Sequence, residues 1–427
     1  MMDTVRLYDF KPYDREFSAT ITELKKDDKW KLKLDRTLFF PEEGGQSSDT
    51  GYLLRPCSEK NGSEINGTGS DRNMIAPDPD RDPSEHENVN VIGYKVIHVT
   101  IENNEIWHEI EGDCSGLKAG DAISGKIDWD RRFSNMQNHT GEHILSGILH
   151  RDFGSENTGF HLSDNIVTLD TSKALNDNEL KELEARANEA VYSNIPVTCR
   201  YYENNELSGI EYRSKKTISE AVRLVTIPGI DVCACCAPHV KSTGEIGIIK
   251  IIHSIYYKGG TRLTILSGKR AYQYLAGQHE ITESLSQSLS SPPQKLPDAV
   301  NRLLKEVNRY KEKLTEISKE RLFQKINELP GDLRSAVIFS DDTGMNNITQ
   351  RNAVNLLTER YNGICAVFTG AEGHYRFILS HPSGDARDTA DILKERFQAK
   401  CGGSKEMIQG SVNACEQDLR GVLAEQE

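Results

Sequence analysis

Aromatic side chains are scarce in this chain of 427 residues, at 7% of positions, and cysteines number only nine. Nine thiols spread over this length cannot be the dense disulfide framework that holds small secreted domains together. No apolar run approaches the roughly 18 residues of a membrane-spanning helix. The opening MMDTVRLYDF has no basic and apolar leader, so the sequence predicts neither a membrane span nor a signal peptide, and a cytoplasmic location. Net positive charge is missing too. The formal charge of −13 argues against holding nucleic acid by an overall basic surface. Local basic stretches remain at RSKK (213–216), KGGTR (258–262) and GKR (268–270), and a polyanion can find a positive face there.

What is present is ordinary for a globular protein, 37% hydrophobic and 27% charged residues. The length allows about three domains. Residues 1–56 and 93–128 alternate apolar and polar positions in short runs, as in KWKLKLDRTLFF and YKVIHVTIENNEIWHEI. That period predicts an N-terminal antiparallel β-barrel-like domain over 1–128. Within it, 57–92 is acidic, polar and without periodicity, as an insertion would be. From 129 to 270 strands and helices mix, which predicts an α/β second domain. NDNELKELEARANEAVYSN reads as its amphipathic helix and NIVTLD, VTCRYY, EIGIIKIIHSI and TRLTILSG as its strands. Residues 271–329 read as a helical linker broken by SSPPQKLP, with Val300, Leu303, Val307, Tyr310, Leu314 and Ile317 at coiled-coil spacing. One long helix packed on its own protein fits that spacing equally. Past Pro330, strand and helix patterns alternate again and predict a small C-terminal α/β domain over 330–427. The expected class is therefore α+β and multidomain.

The chemistry concentrates in two places. NHTGEHILSGILH (138–150) sets His139 and His143 four residues apart, on one face of a helix, with Glu142 close to that face. IDVCACCAPHV (230–240) sets Cys235 and His239 in a C-x-x-x-H, with Cys233 and Cys236 as alternative thiols. Two imidazoles on a helix, a thiolate and a third imidazole make a tetrahedral N/S set that suits one Zn²⁺ per chain. The bland alternatives are half-buried histidines and small apolar cysteines beside a turn. The order H-x-x-E-H also occurs in inverted-motif zinc peptidases, with Glu142 as general base; that reading leaves CACCAPH unexplained.

HTGEH at 139–143 and CCAPHV at 235–240 resemble the paired zinc motifs of the alanyl-tRNA editing domain. LDRTLFFPEEGGQSSDTGYL (34–53) is similar to the Gly-rich segment of that family, and TGFH (158–161), ahead of a strand, and IDWDRRFSNMQNH (127–139) fit it too. The resemblance runs over residues 1 to about 275. KCGGSKEMIQGSV (400–412) is similar to the end of the DHH-associated domain found in the long free-standing editing proteins. The resemblance implies a zinc-containing editing domain at 129–270 in a trans-acting deacylase of the long AlaX type. Such an enzyme hydrolyses the ester of a wrong amino acid, serine or glycine, on alanine tRNA. It implies zinc ligands His139, His143, Cys235 and His239; substrate contacts at Gly44, Gly45, Gln46, Asp49 and Thr50; and catalytic parts for Gln46 and Glu142. Gln46 is expected to serve the substrate and not the metal. tRNA is the implied partner, with Arg262, Lys269, Arg270, Gly402, Gly403 and Lys405 as candidate contacts, and a homodimer is expected through the C-terminal region. Two departures stand out: Glu43 occupies the family's first glycine of three, and Cys236-Ala237-Pro238 replaces a Gly-Gly-Thr-like filling. Two rivals are carried forward. One is a non-catalytic tRNA-binding protein with a structural zinc, since four protein ligands would close the site. The other is a threonyl-tRNA editing hydrolase, which shares the zinc motif pairs.

Overall fold

The computed structural model describes residues 4–56, 91–203, 205–214, 221–341 and 345–426. The expected insertion therefore lies, from 57 to 90, outside the described residues. The chain divides into two compact units, Met1–Glu280 and Ile281–Glu427.

In the first unit, β1 (Val5–Arg6) and a single helical turn, α1 (Leu7–Phe10), precede β2 (Glu16–Lys26), β3 (Trp30–Leu34) and the short β4 (Arg36–Thr37), which pairs in parallel with β1. With β5 (Gly51–Pro56), β6 (Val91–Glu102), β7 (Glu105–Glu111) and β8 (Ala122–Ile127) the set is complete. Strands β2, β3, β7, β6, β5 and β8 close in that order into an antiparallel barrel. Alternation supplies its filling: Ile21, Leu32, Leu34, Leu53, Val96, Val99, Ile106, Ile110 and Ile123 all turn inward and are buried. β5 and β6 are register partners to their outer ends, Pro56 opposite Val91.

The barrel leads directly into α2 (Trp129–Phe153), capped by the Asp128 side chain on the Arg131 amide and ended by Gly154 in the left-handed region at φ 56°. Every residue from Ser134 to Leu149 is buried. An amphipathic surface helix would bury one stripe only; α2 is enclosed on all sides. Its polar side chains must therefore find partners inside, and Asn138 does so on the Ser134 carbonyl and both backbone groups of Ser267.

Around α2 lie β9 (Asn157–Leu162), β10 (Val167–Thr171), α3 (Asp177–Tyr192), β11 (Thr198–Tyr202), β12 (Val222–Ile227), β13 (Asp231–Ala234), β14 (Ile249–Tyr257) and β15 (Gly260–Ser267). They form a four-stranded antiparallel sheet, β14-β15-β10-β9, and a three-stranded one, β11-β12-β13. TGFH, expected ahead of a strand, lies within β9. The shared core joins Ile144, Leu145 and Ile148 of α2 to Leu183 and Ala187 of α3 and to Leu263 and Ile265 of β15. α3 opens on a capping box, Asn176 with Glu179. α4 (Gly268–Ser288) carries the chain out of this unit.

The second unit contains α5 (Leu296–Asn327), β16 (Ala336–Ser340), α6 (Asn347–Thr358), β17 (Cys365–Ala371), β18 (His374–Ser380), α7 (Ala386–Phe397), β19 (Lys400–Gly403), β20 (Met407–Val412) and α8 (Glu416–Ala424). Its sheet runs β16-β17-β18-β20-β19, parallel only between β16 and β17. Leu322 and Ile326 of α5 are buried in its core, whereas Val300, Leu303, Val307, Tyr310, Leu314 and Ile317 are exposed. KCGGSKEMIQGSV is the β19–β20 hairpin at the edge of this sheet. Among the described residues no helix is long and apolar enough to cross a membrane.

Candidate metal centre and the loop beside it

His139 and His143 project from one face of α2, as their spacing requires, and face the segment that follows β13. There the chain turns through Pro238 and returns His239 beside Cys235. One donor atom from each of His139, His143, Cys235 and His239 lies within 4.8 Å of the others. Cys235 Sγ is 3.5 Å from His139 Nε2 and 3.4 Å from His239 Nε2. Of the other thiols, Cys233 groups instead with His143 and Asp231, and Cys236 lies beside Glu43.

The far nitrogen of each imidazole has a partner of its own. His143 Nδ1 is 2.9 Å from Asp231 Oδ2, His139 Nδ1 is 2.7 Å from Gln46 Oε1, and His239 Nδ1 is 3.0 Å from Thr140 Oγ1. A carboxylate and an amide oxygen can only accept, so His143 and His139 carry their hydrogen on Nδ1 and leave Nε2 bare. Bare Nε2 atoms converging with a thiol are what a metal ion needs. Asp231 is itself held by Arg213, Nε at 2.7 Å and Nη2 at 2.8 Å. Burial alone would raise the Asp231 carboxyl, but hydrogen bonds from His143 and Arg213 hold it below its ordinary value. Burial and then the two neighbouring imidazoles push His239 well below the usual histidine range, and burial pushes the Cys235 thiol well up. Cys235 and His239 are therefore neutral in themselves, and a bound cation is what would draw the proton from Cys235.

Close backbone approach makes this possible. A Cβ on Gly147 would stand 2.4 Å from the Ile230 carbonyl oxygen, so only glycine lets the β12–β13 turn come near enough for Asp231 to reach His143.

The loop 43–46 is a two-residue hairpin. Glu43 and Gln46 exchange both backbone hydrogen bonds, at 3.2 and 3.1 Å, and Gly44 and Gly45 take φ values of 63° and 84°. Two successive positive φ angles are those of a type I′ turn. The hairpin lies on the end of β9: Leu162 N donates to Gly45 O at 2.6 Å and Ser47 N to Leu162 O at 2.9 Å. Gln46 is wholly buried, its amide oxygen on His139 and its Nε2 without a partner. Gln46 thus holds the orientation of His139, a contact that the sequence did not suggest.

Three residues expected at the substrate or in catalysis, Asp49, Glu142 and Thr50, make contacts within the fold. Asp49 is fully buried and accepts from the Phe40 amide at 2.7 Å and from Arg132, itself fully buried. Arg132 also donates to the Leu38 and Pro12 carbonyls. Asp49 thus ties the loop to α2 and presents no free oxygen. Glu142 is buried beside the centre rather than in it, accepting from Ser146 and Asn157. Thr50 is half-buried, and its carbonyl caps the Asp128 amide at 2.8 Å.

The candidate tRNA contacts are mixed. Arg262 makes a bidentate pair with Asp170, at 2.6 and 2.7 Å, and stacks 3.8 Å over Tyr257. Lys269 is exposed and pairs with Asp130 at 2.9 Å. Arg270, half-buried, binds Ser134, Asn135 and the Ser163 carbonyl at the start of α4. Gly402, Gly403 and Lys405 lie in the second unit on β19 and the turn after it, where the Lys405 carbonyl accepts from the Ala386 amide at 2.9 Å.

Comparison with known proteins finds relatives over most of the chain. The family described as the threonyl and alanyl tRNA synthetase second additional domain matches residues 222–270, which include Cys235 and His239. The alanyl-tRNA editing protein AlaX-L of Pyrococcus horikoshii is 27% identical over 98% of this chain and 97% of its own length. The AlaX-M protein of Methanosarcina acetivorans is 37% identical over 57% of this chain and 91% of its own. The alanine–tRNA ligase of Pyrococcus abyssi is 29% identical over 96% of this chain, which spans 42% of that ligase's length.

Proposed function

The chain belongs to the alanyl-tRNA editing proteins, and from that premise we propose that it is a zinc-dependent, trans-acting deacylase of alanine tRNA wrongly charged with serine or glycine, at work in the cytoplasm. The observation that carries this reading is the convergence of three imidazoles and one thiol, each imidazole anchored from behind, beside a buried Gln46. His139, His143, Cys235 and His239 would hold Zn²⁺, which supplies Lewis acidity when bound. An aminoacyl ester is already activated, so the protein's part is to position the reacting groups and exclude water. Gly44 and Gly45 let the backbone approach the acceptor end closely. Gln46 Nε2, buried and unpartnered, is a donor for the ester carbonyl or a side-chain hydroxyl. Glu142 supports the site from beside it, accepting from Ser146 and Asn157.

In the second unit, the exposed apolar positions of α5, together with Arg302, Lys305, Arg309, Lys311 and Lys313 on the same helix, support assembly with a second copy and capture of tRNA.

Purified protein incubated with seryl-, glycyl- and alanyl-charged alanine tRNA should release serine and glycine faster than alanine. Release no faster than in buffer refutes the reading. Four protein donors are the number of a closed structural site, so zinc content without ester hydrolysis supports the rival, a non-catalytic tRNA-binding protein. Faster hydrolysis of seryl-charged threonine tRNA supports the threonyl-type rival.

A further inference from the structure

We propose that Glu43 is a specificity residue for this site, reading the hydroxyl of the misplaced aminoacyl group together with Gln46; this rests on the deacylase reading above. The positive φ angles of the hairpin fall on Gly44 and Gly45 and not on Glu43. Position 43 therefore has no backbone need for glycine, and the departure from the family's Gly-rich pattern matters through its side chain.

Glu43 and Gln46 form an antiparallel bridge. Residues directly opposed in such a pair project their side chains from the same face of the ladder. Gln46 reaches His139, and Glu43 reaches Cys236, the neighbour of Cys235. Each keeps one buried polar atom without a partner, Glu43 Oε2 and Gln46 Nε2. Because His139 takes the amide oxygen of Gln46, the free group there is a donor; the free atom on Glu43 is an acceptor.

A buried, unpaired carboxylate oxygen is costly to leave unsatisfied. An acceptor and a donor on opposed residues of one hairpin are complementary to a group that can both give and take a hydrogen bond. A hydroxyl does this. A methyl group does neither, and a glycyl ester offers nothing at that position. A site that leaves two buried polar atoms unpaired favours a seryl over a glycyl ester more strongly than a difference in size would.

The test compares the full chain with its Glu43→Gly and Glu43→Gln variants, after zinc content has been matched. Each is given seryl- and glycyl-charged alanine tRNA, and kcat/KM is measured for both. Glu43→Gly should lower the seryl-to-glycyl ratio on the order of tenfold. Glu43→Gln, which keeps an acceptor oxygen, should recover most of the ratio. A Glu43→Gly variant with the parent's ratio, or with faster seryl hydrolysis than the parent, overturns the inference. A parent that hydrolyses neither ester overturns the deacylase reading and this inference with it.

Discussion

Replacing Asp231 should weaken metal binding although Asp231 is not in the set of four donors. Its carboxylate accepts from His143 Nδ1 at 2.9 Å and from Arg213 at 2.7 and 2.8 Å, with only 2% of the side chain exposed. It fixes both the ring plane and the tautomer of His143. Without it the ring can turn, or carry its hydrogen on Nε2, and either change removes a ligand. Losing such a support typically weakens metal affinity about 10- to 100-fold, or roughly 1.4–2.7 kcal/mol. Asp231→Ala should fall in that range. Asp231→Asn keeps a neutral acceptor for Nδ1–H and should lie nearer its weaker end. Arg213→Ala is the control, since it strips Asp231 of its other partner but leaves the His143 bond, and it should weaken binding less than Asp231→Ala. Competition against a chromophoric chelator at neutral pH, on protein shown to be folded by its melt, gives the three dissociation constants. Folded Asp231→Ala protein with the parent's affinity would refute the reasoning, and His143 would then be no ligand or need no support.

Cys235→Ala should abolish stoichiometric zinc while Cys236→Ala keeps most of it, as metal analysis would show; the reverse result moves the thiolate ligand to Cys236. Because Pro56 and Val91 are register partners, replacing 57–90 with a short Gly/Ser turn should preserve the cooperative melt and the hydrolysis, and loss of the melt would show that the segment packs. A chain ending near Glu280, the limit of the first unit, should still hydrolyse seryl-adenosine but bind whole tRNA more weakly and with a shallower salt dependence; unchanged tRNA affinity would remove the second unit from tRNA capture. His108 is buried inside the barrel between Thr37 and the Leu32 carbonyl, and burial lowers it to about 4 from an ordinary value of 6.5. Between those values the unfolded chain binds a proton that the folded barrel refuses, so about 3 kcal/mol of stability should be lost as the pH falls through that window. Denaturant midpoints at neutral and mildly acid pH should differ less for His108→Gln than for the parent, and equal differences would exclude His108.

The barrel strands are legible because their inward residues alternate, and α5 because its apolar positions repeat. Closure of the barrel is not, since β8 joins both β2 and β5 across long stretches of sequence, and alternation says nothing about which strands pair. The same limit governs the site. His139 with His143, and Cys235 with His239, announce themselves by local spacing, whereas Asp231 and Thr140 act on histidines 88 and 99 residues away in the chain. Thr140 sits inside HTGEH and Asp231 two residues before CACC; the only signal for them was that closeness to the motifs. Asp49 and Arg270 show the same limit, each held by partners that the local sequence does not reveal. A charged residue in a Gly-rich or basic stretch reads as exposed, and the ion pair or hydrogen bonds that bury it come from distant residues.

The buried pair between Asp49 and Arg132 bears on how such a protein could arise. It bolts the barrel's loop to the helix that carries two histidines, with neither side chain reaching water. A barrel lacking Asp49 docked on this helix, or a helix lacking Arg132 docked on this barrel, would hold an uncompensated charge in the interior, at a cost of several kcal/mol. The barrel and the histidine helix therefore cannot be traded separately between proteins like beads on a string. Gene fusion or fission can move this editing module only as one inheritance, with its break points before the barrel or beyond α4.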